Sequence, residues 1–271
     1  MNKIPCSAPI LTYNSGKTLG RCLDSLKDFE EIILLDGGST DETLAIAKDY
    51  GAKVYPQIEG QTEGKQIEDF TAMRLRALSF TMKPWILHID SDEYIQPELV
   101  PILRKITNQL NIDVKTVYNL PRFAVVDKRL VKHAFCYPDY YVRFYHKESG
   151  VSFRLGKLVH EQRLIPQDVK IRNLEYGICS EWPSYKGCIA KDNYYLSLVN
   201  KKFSNAQKKP APARQLRAVI KNLFLPIKIF LVSVRLTLRF GTEESLPMRY
   251  VWRFMRYHFI IAWLRSKYFE F

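Results

Sequence analysis

Trp-Ile-Leu-His-Ile-Asp-Ser-Asp-Glu, residues 85–93, is the stretch that decides the fold of this chain. Its first five residues are mostly apolar and predict a short buried strand, and the acidic residues Asp90, Asp92 and Glu93 follow at once. In an open α/β sheet, ligands bind beyond the carboxyl ends of the strands. Carboxylates at Asp-x-Asp spacing suit a hard divalent cation and the phosphates it carries. The stretch therefore predicts a strand that ends at a metal-assisted phosphate site.

A second acidic strand end comes earlier in the chain. Residues 32–41 read Ile-Ile-Leu-Leu-Asp-Gly-Gly-Ser-Thr-Asp, an apolar run that stops at Asp36 and is broken by two glycines. Strand ends of a parallel sheet meet at one edge, so Asp36 and Asp90 are expected on the same side. Two such ends within the first hundred residues indicate an enzyme that uses a metal-bound nucleotide.

Strands and helices alternate over the first 90 residues, which predicts a mainly parallel, doubly wound sheet with flanking helices. A helix after Pro97 and then a run of strands indicate a mixed extension of that sheet, where an acceptor site is expected. The predicted strands are residues 8–13, 31–36, 52–55, 85–90, 114–126, 140–146 and 151–159, and the predicted helices are residues 15–28, 40–51, 65–82, 98–110 and 184–202.

The charge of the chain is concentrated at its C-terminal end. Residues 1–200 carry 26 Lys+Arg and 25 Asp+Glu, whereas residues 201–271 carry 15 and 3. A near-neutral body with a strongly basic tail follows from this split. We therefore expect a catalytic domain over residues 1–205 and a basic, amphipathic helical extension over residues 206–271.

Cysteine content and the first residues indicate the compartment. The five cysteines are irregularly spaced and form no CxxC motif, which favours free thiols in a reducing environment. Residues 1–6, Met-Asn-Lys-Ile-Pro-Cys, lack the apolar core of a signal peptide and lead straight into a strand. We expect a cytoplasmic protein.

Several motifs together resemble the family 2 inverting glycosyltransferases of the GT-A fold, and within that family the lipopolysaccharide core enzymes. The similarity covers about residues 7–200, and the order of the blocks makes it specific. The three main blocks are residues 10–14 (Ile-Leu-Thr-Tyr-Asn), 34–43 (Leu-Leu-Asp-Gly-Gly-Ser-Thr-Asp-Glu-Thr) and 85–93. The similarity also includes Arg74, residues 141–145 (Tyr-Val-Arg-Phe-Tyr) and residues 159–161 (Val-His-Glu).

The resemblance implies a nucleotide-sugar donor, UDP-linked by default, and a divalent cation, Mn²⁺ or Mg²⁺. By motif position, Tyr13 would flank the base and Asp36 would accept a hydrogen bond from it. Asp90 would lie by the ribose, and Asp92 would bind the metal, which stabilises the charge that develops on a leaving diphosphate. Glu93 is either a second metal ligand or a charge at a helix start.

Four further residues are candidates for transfer chemistry. Inverting transfer needs one base to take the proton of the acceptor hydroxyl, and we assign Glu161 as that base with His160 beside metal or phosphate, or the two roles reversed. Arg74 is either a charge-assisted donor to the diphosphate or a solvent-facing helix residue. Arg143 contacts phosphate or acceptor, or is an ordinary cross-strand charge.

Two departures from the family pattern stand out. The family has a polar residue directly after the arginine that matches Arg74, and here that residue is Leu75. The family also places a histidine shortly before its late helix, where this chain reads Cys-Ser-Glu-Trp-Pro at residues 179–183. Any role of that histidine would have to be filled by another group.

The basic tail combines helical periodicity with large apolar side chains. Arg214, Lys221, Lys228 and Arg235 recur every seven residues, and Pro226 between them is expected to kink the helix. A second helix carries a stripe of arginines (Arg249, Arg253, Arg256) and a stripe of apolar residues (Trp252, Met255, Phe259, Trp263). The pattern indicates helices that lie on an anionic membrane surface through residues 214–267, or apolar faces packed on the body with solvated charges.

The leading hypothesis is thus a metal-dependent glycosyltransferase, peripheral on the inner face of the plasma membrane, with a glycolipid or lipopolysaccharide-core acceptor. An enzyme of the same fold that transfers to a polyprenyl phosphate is the near alternative. A nucleic-acid-binding protein that uses the basic tail is the alternative of another class, but the aliphatic runs of the tail speak against it. A nucleotidyltransferase would need a glycine-rich phosphate loop, and residues 14–17, Asn-Ser-Gly-Lys, lack its spacing.

Overall fold

The structure is a computed structural model, and it describes residues 2–60, 69–137, 139–154, 163–204 and 211–268. The chain forms two compact units. The first contains Met1–Phe123 and Pro138–Ser180, and the second contains Ala124–Tyr137 and Glu181–Phe271. The domain boundary predicted at residue 205 lies within the second unit.

A mixed, mainly parallel sheet is the framework of the first unit, as the sequence predicts. Strand β1 is central, because it pairs in parallel with β2 on one side and with β4 on the other, while β4 and β6 pair antiparallel to β8. The order of the main path is β3-β2-β1-β4-β8-β6-β12-β5. The strands are β1 Ile4–Thr12, β2 Phe29–Asp36, β3 Lys53–Pro56, β4 Trp85–Leu87, β5 Glu93–Ile95, β6 Thr116–Val126, β7 Arg129–Leu130, β8 Tyr140–His146, β9 Ser152–Phe153, β10 Arg163–Leu164, β11 Lys170–Asn173 and β12 Ile178–Glu181.

Four helices cover this sheet and close its core: α1 Gly16–Ser25, α2 Thr43–Asp49, α3 Phe70–Ser79 and α4 Leu99–Thr107. Apolar positions of α1 at helical spacing, among them Leu19 and Leu23, are fully buried in the main apolar core of the unit. Within the sheet, Trp85 of β4 stacks on Phe144 of β8 with ring centroids 4.8 Å apart. The buried strand that residues 85–93 predict is therefore present, although it ends at Leu87.

The second unit is built from three long helices: α5 Tyr185–Ser204, α6 Pro212–Phe240 and α7 Met248–Tyr268. Cys188 of α5, Ile229 of α6 and Tyr250 of α7 share one buried apolar cluster, to which Val126 and Val131 contribute. This cluster explains why α5, predicted as part of the body, belongs to the same unit as the tail. In the part of the chain that the structure describes, none of the helices is both long and apolar enough to cross a bilayer.

Helix α6 continues through Pro226, and the kink expected at this residue stays a prediction. Pro226 lies on the buried side of the helix, together with Val219 and Ile229. The proline ring thus contributes to the apolar packing of the unit, and the 29-residue helix presents one long face to solvent.

Candidate active site

Strand β1 lies between β2 and β4 and pairs in parallel with both of them. The carboxyl ends of the three strands therefore lie next to one another at one edge of the sheet. Tyr13 follows β1 and is half-buried, Asp36 ends β2, and residues 88–93 follow β4. This edge therefore brings together the two acidic strand ends that the sequence places far apart, as expected for a parallel sheet.

Asp36 is 5% exposed and organises the loop between β2 and α2. One carboxylate oxygen accepts hydrogen bonds from the Thr12 hydroxyl (2.9 Å) and the Ser39 hydroxyl (2.6 Å). The other accepts from the Gly38 N–H (2.9 Å) and the Ser39 N–H (2.7 Å). A carboxylate offers about four acceptor positions, so this carboxylate is engaged within the chain. The hydrogen bond from Asp36 to a nucleotide base stays a prediction.

The loops after β1 and β2 are joined by short polar contacts. Asn14, which adopts a positive φ of 50°, makes two of them. Ser15 precedes α1, but its hydroxyl makes no capping bond to the helix and lies 3.0 Å from the Ser91 hydroxyl in the loop after β4. The contacts run from Asn14 N–H to Ser39 Oγ (2.8 Å), Thr40 N–H to Asn14 Oδ1 (2.9 Å), Ser15 N–H to Thr43 Oγ1 (2.7 Å) and Gly16 N–H to Asp41 Oδ2 (2.9 Å).

Two arginines from different elements converge on the carboxylates after β4. Arg74 of α3 is 6% exposed and donates to Asp90 Oδ1 through Nη2. Arg143 of β8 is 8% exposed, and its Nη2 lies 3.2 Å from Glu93 Oε1 and 3.7 Å from Asp90 Oδ2. Arg143 also donates to the His88 carbonyl oxygen at 3.4 Å. The solvent-facing alternative for Arg74 is therefore wrong, since the side chain is buried at the site.

The same contacts set the protonation of the two carboxylates. Burial alone would raise the pKa of Asp90, but the charges of Arg74 and Arg143 outweigh it and hold that pKa well below its usual value. Burial and the neighbouring Asp90 charge raise the pKa of Glu93 to about 7, against the opposing charge of Arg143. Asp90 is thus ionised at neutral pH, and Glu93 is a buried group rather than an exposed charge at a helix start.

A neutral imidazole lies beneath this cluster. His88 is fully buried, and its Nε2 lies 2.6 Å from the Tyr145 hydroxyl. Burial, followed by the charges of Arg163, Arg74 and Arg143, lowers the pKa of His88 well below its usual value. His88 therefore adds no charge to a site whose cations are arginines.

The residues present fit a divalent cation that is shared with a ligand. Within the described ranges, no three His, Cys, Asp or Glu side chains are grouped as a ready-made metal cage. Asp92 is exposed at the turn after β4, while Asp90 is partly held by arginine. Magnesium and similar ions commonly take one or two carboxylates and complete their shell with water and substrate phosphates. Asp92 together with Asp90 meets that pattern.

His160 and Glu161, the predicted base and its neighbour, lie outside the described residues. The strand predicted at residues 151–159 is observed at Ser152–Phe153, where it pairs with β10 in the register Arg163 to Phe153. These two short strands flank the segment that carries His160 and Glu161.

Arg163 is a site residue that the sequence reasoning missed. Its guanidinium carbon lies 5.5 Å from the centre of the Phe153 ring, and the Phe153 ring lies edge-on to His88 at 5.2 Å. The charge of Arg163 also lowers the pKa values of His88 and Asp90. The sequence feature that could have identified Arg163 is its position two residues after Glu161, and in the structure it begins β10.

A pocket of about 230 Å³ adjoins Asp36 at the ends of β2 and β3. It is lined by Asp36, Gly38, Leu44, Val54, Tyr55 and Pro56. Its lining combines apolar side chains with the carboxylate of Asp36. The first unit thus offers a pocket at Asp36 and, beyond it, a charged cluster at Asp90.

A mixed α/β sheet that brings acidic strand ends, buried arginines and a pocket to one edge is the architecture of an α/β enzyme that binds its ligand beyond the carboxyl ends of its strands. Residues 7–152 match the family described as Glycosyl transferase family 2. This chain belongs to that family and is a glycosyltransferase, which confirms the predicted family and fold class.

Similar proteins have related descriptions. A Rickettsia bellii protein named as an uncharacterized glycosyltransferase is 26% identical over 215 residues, covering 77% of this chain and 70% of its own. The lipopolysaccharide core biosynthesis glycosyltransferase LpsC of Rhizobium meliloti is 34% identical over 101 residues, covering 37% of this chain and 36% of its own.

Two solved structures are also similar. Residues 1–349 of Staphylococcus aureus TarS with UDP match 96% of this chain and 89% of that chain, with 17% identity and a TM-score of 0.46. Glucosyl-3-phosphoglycerate synthase of Mycobacterium tuberculosis with Mn²⁺, UDP and glucosyl-3-phosphoglycerate matches 44% of this chain and 43% of that chain, with 24% identity and a TM-score of 0.34.

Proposed function

We propose that this glycosyltransferase moves a sugar, with inversion, from a UDP-linked donor to a membrane glycolipid or lipopolysaccharide-core acceptor, with Mn²⁺ or Mg²⁺. The observation that carries the proposal is the cluster after β4, where buried Arg74 and Arg143 hold Asp90 beside exposed Asp92. A cluster that pairs cations with a metal-binding carboxylate suits a diphosphate leaving group. The LpsC relative, which is named for lipopolysaccharide core biosynthesis, supports the acceptor class.

Each candidate residue has one task in this scheme. Asp92, with Asp90, would hold the cation, which stabilises charge on the departing diphosphate. Arg74 and Arg143 orient Asp90. Their guanidinium groups would also donate hydrogen bonds to the phosphate oxygens of the donor. Tyr13 flanks the nucleotide base next to the loop that Asp36 fixes.

The proton of the acceptor hydroxyl goes to Glu161, or to His160 if the roles are reversed. Either group accepts one proton from the attacking oxygen as that oxygen bonds to the anomeric carbon and the nucleoside diphosphate departs. The pairing of β9 with β10 supports this assignment, since it brings both ends of the segment beside Phe153, which contacts His88.

The acceptor proposal includes a membrane location. We assign the protein to the inner face of the plasma membrane as a peripheral protein that contacts anionic lipid through residues 214–267. The support is that α6 and α7 carry exposed cations beside exposed large apolar side chains, a combination that suits an anionic bilayer better than a nucleic acid.

Replacing Asp92 tests the central claim. Asp92→Ala should abolish release of UDP from a UDP-sugar in the presence of Mn²⁺ while circular dichroism and thermal unfolding stay unchanged. Asp49→Ala is the matched control, since Asp49 is an exposed carboxylate at the end of α2 away from β4. Full activity of the Asp92 variant would refute the metal role.

A donor and acceptor panel tests the remaining parts. UDP-, GDP- and dTDP-sugars with Mn²⁺ or Mg²⁺ are compared by thermal shift, because a ligand that binds only the folded state raises the apparent stability. Extracted glycolipids are then compared with polyprenyl phosphates as acceptors. Transfer to the polyprenyl phosphate alone would overturn the acceptor class and leave the donor site intact.

A further inference from the structure

Helix α6 carries three lengthwise stripes with different surroundings. Its buried side, which includes Val219, Pro226 and Ile229, packs within the second unit. An apolar stripe of exposed residues consists of Leu216, Ile220, Leu223, Phe224, Ile227, Leu231 and Leu238. A basic stripe of exposed residues lies next to it and consists of Arg214, Arg217, Lys221, Lys228, Arg235 and Arg239. From Leu216 to Leu238 the apolar stripe is about 33 Å long at the helical rise.

Helix α7 extends the apolar stripe with an aromatic edge. Trp252, Phe259 and Trp263 share one face of α7 and are 54%, 42% and 57% exposed. The ring of Trp252 lies 5.6 Å from that of Phe230, which borders the apolar stripe of α6. The two helices therefore present one continuous exposed apolar surface, far more than scattered surface residues would give.

The arginines of α7 are engaged inside the unit. Arg249 pairs with Asp127, Arg253 pairs with Asp192 through two hydrogen bonds of 2.6 and 2.7 Å, and Arg256 donates to Asn193 at 2.8 Å. The interpretation that these arginines point at lipid headgroups is therefore wrong for Arg253, which is largely buried. Most of the exposed cations that lie outside such pairs must therefore come from α6.

The basic stripe of α6 supplies them. Among the described residues, none of its six side chains lies within ion-pairing distance of a carboxylate. A second copy of this chain would bring two such cationic stripes together, and a nucleic acid would leave the apolar stripe in water. An anionic bilayer satisfies both stripes, with phosphates at the cations and acyl chains at the apolar side chains.

We propose that α6 lies in the plane of an anionic bilayer on its apolar stripe, that the aromatic edge of α7 inserts beside it, and that the basic stripe of α6 binds the headgroups. The inference rests on the proposed membrane acceptor and adds the residues that bind the lipid. Tryptophans at an interface keep an apolar body in the acyl region and a polar edge at the headgroups. The docking surface consequently selects for lipid charge through α6 and for insertion through both helices.

Vesicle flotation of the full chain tests this assignment. The probes are vesicles of equal parts phosphatidylcholine and phosphatidylglycerol, and vesicles of phosphatidylcholine alone. Lys221→Gln with Lys228→Gln should weaken binding to the anionic vesicles roughly 30-fold, the effect of two cations near such a surface. Lys48→Gln with Lys105→Gln removes the same charge from exposed lysines of the first unit and should leave binding unchanged.

A second pair of substitutions tests insertion. Leu223→Ser with Ile227→Ser should weaken binding by more than tenfold, since about 0.8 kcal/mol is lost for each CH₂ group withdrawn from the acyl region. Hydrolysis of the UDP-sugar in solution should stay unchanged in all variants, so a loss of flotation is separable from a failure of the donor site.

Three results would overturn the inference. Binding of the Lys221/Lys228 variant at the level of the wild type would remove the headgroup role of α6. Loss of a dimer on gel filtration in the Leu223/Ile227 variant would identify a second copy as the occupant. A salt-sensitive gel shift with RNA that vesicles do not displace would assign the cations to nucleic acid.

Discussion

Replacing Arg253 with methionine distinguishes a structural arginine from a lipid-binding one. Arg253 Nε and Nη2 donate to the two carboxylate oxygens of Asp192 at 2.6 and 2.7 Å, and the two side chains are 12% and 9% exposed. The guanidinium also lies 5.5 Å from the ring centre of Trp182. Methionine preserves much of the aliphatic stem but leaves the Asp192 carboxylate buried without its cation.

The size of the expected effect follows from burial. Breaking a buried ion pair by removing one partner costs about 3–5 kcal/mol, whereas an exposed pair contributes about 0–1 kcal/mol. At about 2–4 °C per kcal/mol for a chain of this size, the melting temperature should fall by roughly 6–20 °C. The double variant Arg253→Met with Asp192→Leu should recover most of this loss, because no buried charge remains.

Urea unfolding followed by tryptophan fluorescence measures the free energies of the wild type, both single variants and the double variant. Arg253→Lys is the control that keeps the charge but lacks the two-pronged geometry, and it should be intermediate. A single variant that unfolds like the wild type, yet binds anionic vesicles more weakly, would refute the structural assignment of Arg253 and return it to the lipid surface.

Three further outcomes are expected. Gly177→Ala should lower the free energy of unfolding in urea by about 1–3 kcal/mol, because an added Cβ would lie 2.0 Å from the Pro121 carbonyl oxygen; an unchanged midpoint would contradict this close approach. Asp36→Asn should lower stability by about 1–3 kcal/mol and weaken UDP binding in a calorimetric titration, because its amide nitrogen cannot accept the hydrogen bonds that the lost oxygen accepts; unaltered affinity would separate the loop from the donor site. Burial and the charge of Lys221 lower the pKa of His258 below its ordinary 6.5. The contribution of His258 to the free energy of unfolding should therefore be constant above pH 6.5 and fall as the pH drops from 6.5 to the lowered pKa, by at most about 1.4 kcal/mol per pH unit. His258→Gln should remove this pH dependence in unfolding experiments on either side of pH 6.5, and an unchanged slope would show that other groups cause it.

The parts of the first unit that were predictable are those that depend on local periodicity. The apolar run before Asp36 is a strand up to Asp36, and the run before Asp90 is a strand up to Leu87. The parallel pairing of both strands with β1 brings their ends to one edge. The spacing of Leu19 and Leu23 correctly predicts the buried face of α1. These features need no knowledge of distant contacts, since hydrophobic period and strand order determine them.

The parts that were not predictable depend on partners far apart in the chain. Nothing near Arg253 indicates that it pairs with Asp192, 61 residues away, instead of with lipid. The exposure of Arg74 likewise depends on how α3 packs. The sequence left a donor to the diphosphate and a solvent-facing residue as alternatives, and it did not indicate the ion pair with Asp90. Periodicity places a charge on a face of a helix, but tertiary packing decides whether that face meets solvent or a carboxylate.

The polar contacts between the loops after β1 and β2 have a thermodynamic consequence. Asn14 and Ser15 reach across to Ser39, Thr40 and Thr43, so the backbone of both loops is fixed before any ligand arrives. Ordering a free loop on association costs conformational entropy for each residue immobilised. A molecule that binds at this edge contacts two loops that are already ordered, so the entropic cost of ordering them does not reduce its affinity.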